Sequence, residues 1–312
     1  MCSPLMVRRS YRNGVLLRSN RFSTSQVAEA AFRDFLNLMN KLKHFIGRFQ
    51  NDGHLNWVFV IPSAILLTLF ALPFLALFVR SINQDFFTNA FSEQAFKALR
   101  LSLFTSTITT IGAIILGTPL AYVLARWKFR FKTWIELFID LPIVLPPSVA
   151  GLALLIAFGR RGLFGSVLNI FGISLPFTTA AVVLAQTFVA APLYVRSARV
   201  GFSEIDKQLE EAAHVEGANQ WQLFYEVMFP LAGRALLSGA ILTWTRALGE
   251  FGATILFAGN LEGVTQTMPM AIYLGFEQNL GIALALSVIL IGVSAVLLGL
   301  TRWLERADER ES

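Results

Sequence analysis

The chain has 312 residues, 55% of them apolar and 15% charged, with a formal net charge of +6 and a positive mean hydropathy. A water-soluble domain carries nearer ~25% charge, so the composition argues for a membrane protein, and 28 phenylalanines suit side chains that face lipid. One cysteine, Cys2, excludes an internal disulfide or a cysteine-based metal site, and His44, His54 and His214 have no ligand spacing.

A basic tail, residues 1–55, comes first. Five arginines (Arg8, Arg9, Arg12, Arg18, Arg21) precede the first acidic residue, Glu29. Such a start fits a cytoplasmic tail that helps set orientation, a start site placed upstream, or an organelle transit segment. From 27 to 49 apolar residues recur at helical spacing, which fits an interfacial amphipathic helix.

Residues 56–304 then carry six apolar segments. A hydrocarbon core of about 30 Å needs about 20 helical residues, and each segment meets or approaches that length. They run from Trp57 to Val79, Leu101 to Ala125, Leu137 to Phe158, Phe177 to Val195, Ala235 to Ala258 and Leu280 to Leu300. The second is rich in hydroxyls: Ser102, Thr105, Ser106, Thr107, Thr109 and Thr110 either line a polar path or bond to neighbouring helices. The third contains Pro142, Pro146 and Pro147, which remove backbone donors and predict a kink or an interruption. Residues 305–312 form a short C-terminal end. The expected fold class is an all-α polytopic membrane protein.

Orientation follows from lysine and arginine. With the N-terminus inside, the cytoplasmic side holds nine basic residues of the tail and Arg126, Lys128, Arg130 and Lys132. It also holds Arg196, Arg199, Lys207 and Arg234, and then Arg302, Arg306 and Arg310. The other side holds Arg80, Lys97, Arg100, Arg160 and Arg161. Both termini are therefore predicted to be cytoplasmic. Basic residues at the ends of apolar runs explain the net charge by membrane orientation, with no nucleic-acid partner.

The loop 203–230 between the fourth and fifth segments holds the most local information. Ser203, followed by Asp206, predicts a helix cap with an acidic first turn. That helix should run to about Glu216 and stop at Gly217 in the left-handed conformation. Asn219 should cap a second short helix, ended by Pro230.

Within that loop stand Glu211-Ala212-Ala213, then Gly217, then Val227-Met228-Phe229-Pro230. This resembles the motif E-A-A, three residues, G, nine residues, I-x-L-P of permeases in ATP-binding-cassette importers. Val227 and Phe229 depart from Ile and Leu but remain apolar. The resemblance implies a type I importer permease fold with six transmembrane helices, and a loop that docks in a groove of a separate ATPase subunit. Ala212 and Ala213 would allow close approach, and Glu211 would offer a carboxylate. It also implies a permease homodimer and an extracytoplasmic oxyanion-binding protein, in a bacterial inner membrane. The chain has no G-x-x-x-x-G-K loop, so ATP and Mg would be bound by the partner ATPase. No cofactor, catalytic residue or metal site is expected in this chain.

The fifth segment contains Arg246, Gly249, Glu250, Gly252 and Thr254. Arg246 and Glu250 are four apart and share one helix face. Intramembrane charges face a bundle interior or a wet cavity. The pair therefore reads either as part of a translocation path or gate, with Gly249 and Thr254, or as a structural ion pair. Gly249 and Gly252 also suit close helix packing. The string from Arg246 to Thr254, Ala258-Gly259-Asn260 after it, and Thr265 to Tyr273 resemble permeases for molybdate and sulfate. The last stretch resembles the molybdate branch more, so molybdate is the expected substrate, with sulfate or tungstate as alternatives. An ATP-independent secondary transporter would account for the charges but not for the loop spacing.

Overall fold

In a computed structural model, residues 57–82 and 86–308 are described, with Arg33, Asn40 and Lys41 as helical positions upstream. The rest of the basic tail, including most of the expected interfacial helix, lies outside the described residues. All regular elements among the described residues are helices. The chain divides into two compact units, residues 1–75 and 76–312.

The first unit contains most of α1 (Trp57–Ile82), which tolerates Pro62 and Pro73. The hydroxyls of Ser63 and Thr68 donate to the carbonyls of Phe59 and Ala64, at 2.7 and 2.8 Å. Its side chains from Ile61 to Phe74 are exposed and, apart from these hydroxyls, apolar. That surface suits lipid, where a helix satisfies its own backbone.

The second unit runs through α2 (Phe86–Ala90), α3 (Glu93–Arg126), α4 (Lys132–Val144), α5 (Pro147–Phe158), α6 (Gly165–Ile170) and α7 (Thr179–Glu204). It continues through α8 (Lys207–Val215), α9 (Gln220–Leu231), α10 (Gly233–Leu248), α11 (Gly252–Ala258), α12 (Met268–Gln278) and α13 (Leu280–Asp308). Ser92 caps α3, accepting from the Ala95 N–H at 3.3 Å. With 34 residues α3 is about 51 Å long, well beyond a hydrocarbon core. It packs against α7 and α10 to form the centre of the unit.

Among the described residues four helices, α1, α3, α7 and α13, are long and apolar enough to cross a membrane, and the number reaches six if the bent pairs α4–α5 and α9–α10 each count as one span. The third and fifth expected segments are instead broken. In the third, α4 and α5 are bent by 116° at Leu145–Pro146. Neither Pro146 nor Pro147 has an N–H to donate, and each holds its predecessor in extended conformation. In the fifth, one helix over Ala235–Ala258 is the expectation, yet the helix stops at Leu248 and restarts at Gly252. Glycines at 249 and 252 each weaken a helix by about 1 kcal/mol relative to alanine. Glu250 offers the restarting helix an acceptor, described below.

The hydroxyls of α3 go into packing. Ser102 accepts from the Met268 N–H at 2.6 Å. Thr109 lies 3.2 Å from the Gln186 Oε1 and donates toward the Val183 carbonyl at 3.3 Å. Thr105, Ser106 and Thr110 donate to carbonyls of their own helix. Ser102, Thr105, Ser106 and Thr109 are fully buried.

Candidate coupling loop and intramembrane ion pair

The helix–turn–helix at α8 and α9 is built from local signals, two of which act elsewhere than expected. Ser203 does not cap it. α7 continues through Ser203, whose hydroxyl donates to the Arg199 carbonyl at 2.7 Å. Ile205 then turns extended, and Asp206 is the cap, with its carboxylate accepting from the Gln208 N–H at 3.0 Å. A cap needs extended backbone, which Asp206 has and Ser203, inside a helix, lacks.

Gly217 stops α8 as expected, with φ +88. The Ala218 N–H reaches the Ala213 carbonyl at 2.9 Å and the Gly217 N–H the His214 carbonyl at 3.1 Å, which is the Schellman pattern. Asn219 caps α9: its side chain accepts from the Trp221 and Gln222 N–H groups, and Gln222 accepts from the Asn219 N–H at 2.9 Å. Pro230 does not end this helix. α9 widens to a π-turn over Leu223–Met228, where the Phe229 N–H bonds to the Phe224 carbonyl, and runs on to Leu231. Pro230 cannot donate to the Glu226 carbonyl, and the wider ladder absorbs that gap. The chain then bends by 68° into α10.

Glu211, Ala212, Gly217, Phe229 and Pro230 are exposed, while Ala213 and Val227 are half-buried. Three large apolar side chains that the motif does not include also stand out from the surface: Val215 at 88% exposure, Trp221 at 72% and Tyr225 at 60%. Trp221 and Tyr225, four apart on one helix, stack at 6.0 Å. The inner side of the loop is locked down. Leu223 and Met228 are fully buried. Phe224 meets Tyr122 of α3 edge-on at 5.1 Å, and Tyr122 meets Phe202 of α7 at 5.5 Å. The loop thus presents an apolar patch among charged residues.

In the fifth segment, the Arg246 Nη1 donates to the Glu250 Oε2 at 2.6 Å. The Glu250 Oε1 accepts from the Ala253 N–H at 2.9 Å. One carboxylate thus pairs with α10 and caps α11, closing the gap between them. The Glu250 side chain is 1% exposed and that of Arg246 36%. Thr254 is buried and its hydroxyl has no partner among the described residues. A side chain on Gly252 would meet Pro147 at 2.6 Å, and one on Gly151 would meet the Ala253 carbonyl at 2.8 Å, so α5 and α11 touch backbone to backbone. Gly249 differs: the nearest atom to a Cβ there is the Thr245 carbonyl oxygen at 3.7 Å. Close packing within the chain therefore explains Gly252 and not Gly249. No group of three His, Cys, Asp or Glu side chains among the described residues could hold a metal.

An all-helical array with membrane-length helices defines a polytopic membrane protein, and its α8–α9 loop carries an exposed apolar tip. Residues 113–307 match the family described as binding-protein-dependent transport system inner membrane component. The molybdenum transport system permease protein ModB of Mycobacterium tuberculosis is 41% identical, covering 77% of this chain and 90% of that protein. The probable sulfate transport system permease protein cysT of Chlorokybus atmophyticus is 34% identical over 78% of this chain and 86% of that protein. Among solved structures, a chain of a bacterial alginate ABC transporter, in complex with an alginate pentasaccharide-bound periplasmic protein, superposes with a TM-score of 0.66. Its identity is 17%, over 84% of this chain and 96% of that one, and the likeness is one of fold. The chain belongs to the family of binding-protein-dependent transport system inner membrane components.

Proposed function

We propose that this chain is the permease subunit of an ATP-driven importer that carries molybdate into the cytoplasm. Two copies pair in the membrane with both termini cytoplasmic, each loop docked on a separate ATPase subunit that binds ATP and Mg. An extracytoplasmic oxyanion-binding protein delivers the substrate. The observation that carries this reading is the loop itself. Its helix ends carry caps at Asp206, Gly217 and Asn219, its inner face is bolted to α3 and α7, and its outer face offers Glu211, Ala212, Val215 and Trp221 to a partner. Such a piece moves as a unit. Closure of the ATPases on ATP would displace it and, through α7 and α10, switch access across the membrane.

The path reading for the fifth segment rests on Arg246. It lies 13 residues, about 20 Å, along α10 from Gly233. Its partial exposure leaves it able to face an anion while Glu250 holds it in place. The sulfate permease relative supports sulfate as the second reading of the substrate, with tungstate beside it.

The test is uptake of radiolabelled molybdate by cells with and without the gene, competed by sulfate and by tungstate. Gene-dependent uptake that sulfate does not displace is the expected result. Displacement by modest sulfate moves the assignment to sulfate, and absence of gene-dependent uptake of either ion overturns the substrate reading.

A further inference from the structure

The chain itself joins the loop to only two core helices, α7 before it and α10 after it. α3 meets the loop through the Tyr122–Phe224 contact, and a polar tie is added to that apolar one by a single side chain. Arg126, the last residue of α3, has its side chain 5% exposed at the corner where α7 turns into α8. Its Nη2 donates to the Ile205 carbonyl at 2.9 Å and lies 3.8 Å from the Met228 Sδ of α9. Its Nη1 is 3.7 Å from the Glu210 carboxylate of α8. One guanidinium therefore touches the corner, the outgoing arm and the returning arm.

The chemistry is particular to arginine. Ile205 has extended backbone between two helices, so its carbonyl falls outside the usual helical ladder and takes the guanidinium as its donor. A planar fork reaches separate acceptors from one position, whereas an ammonium is a point charge. Spreading over three partners leaves the buried Nε–H with no acceptor among the described residues. Such an orphan donor costs stability, so the arrangement is not the one that would best satisfy the arginine alone. The cation also sits at the C-terminal end of α3, where the helix dipole favours it.

We infer that Arg126 is a positioning residue for energy coupling, carrying displacement of the α8–α9 loop into α3 as well as into α7 and α10. This rests on the reading of the loop as the ATPase-docking element. α3 is the longest helix of the second unit's core and holds the start of α12 through the bond from the Met268 N–H to Ser102. A push at the loop thereby reaches the far end of the bundle along one rigid element.

The experiment uses the full complex with its ATPase and binding protein in proteoliposomes, measuring radiolabelled molybdate taken up per ATP hydrolysed. Arg126→Met keeps the apolar stem and removes all three contacts. It should still co-purify with the ATPase, with uptake per ATP falling by about fivefold or more. Arg126→Lys should recover part of that loss, and Glu210→Gln, which leaves the Ile205 bond intact, should lose less. An unchanged ratio in Arg126→Met overturns the inference, because a purely structural arginine would alter yield or thermal stability and not stoichiometry. If Arg126→Met does not assemble, the other two variants decide: a graded loss supports the brace and wild-type ratios in both overturn it. Glu211→Lys separates the two readings. Normal ATPase binding and uptake in that variant removes the docking loop and the brace together. Its failure alongside a normal Arg126→Met removes the brace alone.

Discussion

The helix–turn–helix of α8 and α9 and the paired breaks of the third and fifth segments are both interruptions in spanning order, and they are stabilised in opposite ways. At the loop, the helix ends are satisfied locally, and only the corner carbonyl of Ile205 takes a distant donor, Arg126. Asp206, the Schellman turn at Gly217 and the Asn219–Gln222 box satisfy the helix ends, and apolar side chains are left over on the outside. At the breaks, the fit is apolar and tight, with Pro147 on Gly252 and Gly151 on Ala253. Polar demand there converges on one carboxylate, Glu250, with Thr254 buried beside it and without a hydroxyl partner among the described residues. An element whose helix ends are satisfied within itself suits the lever role proposed for the loop. A break at which two helices meet is a joint, and here its polar bonds converge on one carboxylate while Ala253, Phe257 and Ala258 pack in a buried apolar cluster.

The largest effect should come from spoiling the lever. Gly217→Val forces a β-branched residue to φ +88, a strain of about 1–3 kcal/mol. Uptake should fall to background in cells where the chain remains in the membrane. Gly217→Asn, which tolerates the left-handed region, should retain most of it. Equal uptake in both variants would show that the turn geometry is irrelevant to transport.

Next comes the joint's ion pair. Arg246→Ala leaves a buried carboxylate with one of its two partners. Breaking such a pair costs ~3–5 kcal/mol, and the partial exposure of Arg246 argues for the low end. Glu250→Ala should cost at least as much, since the Ala253 N–H also loses its acceptor. The double replacement should be milder than the sum, read as thermal midpoint in detergent and as uptake. Additive losses would mean that the two charges act separately.

A smaller effect is expected at the glycine contact. Gly252→Ala must displace Pro147 from 2.6 Å, an overpacking of about 1–3 kcal/mol, whereas Gly249→Ala has room. The first should lower the thermal midpoint and the second should not. A drop in transport for Gly249→Ala with unchanged stability would point to a role for that turn beyond this chain's own packing.

What the sequence made legible tracks how local each cause is. Gly217 and Asn219 act on backbone two or three residues away, and Pro146 and Pro147 break their own helix, so their effects could be read directly. The break at 249–251 was not legible, because residues 235–258 read as one apolar run and the restart depends on a carboxylate turning back to Ala253. Ser203 looked like a cap only while α7 was expected to end at Val195; the helix continues to Glu204. The contacts of Arg126 with Ile205 and Met228 lie 79 and 102 positions away, and nothing in its surroundings within the sequence signals them.

The smallest effect should be at Lys97, and it sharpens the contrast between lever and joint by testing a third kind of contact. Lys97 lies on the first turns of α3, 2.7 Å from Glu93 and 3.3 Å from Glu262 in the segment before α12. All three side chains are well exposed, so solvent and salt screen their attraction and the pairs add little to stability. The bond from the Met268 N–H to the buried Ser102 already ties this segment to α3 in a dry environment. Lys97→Ala should therefore leave the thermal midpoint unchanged at moderate salt and uptake close to wild type. A clear loss of uptake without loss of stability would have to arise outside the fold. In the proposed orientation Lys97 faces the extracytoplasmic side, so the binding protein's docking step is where that loss would be sought, by comparing uptake at low and saturating binding protein.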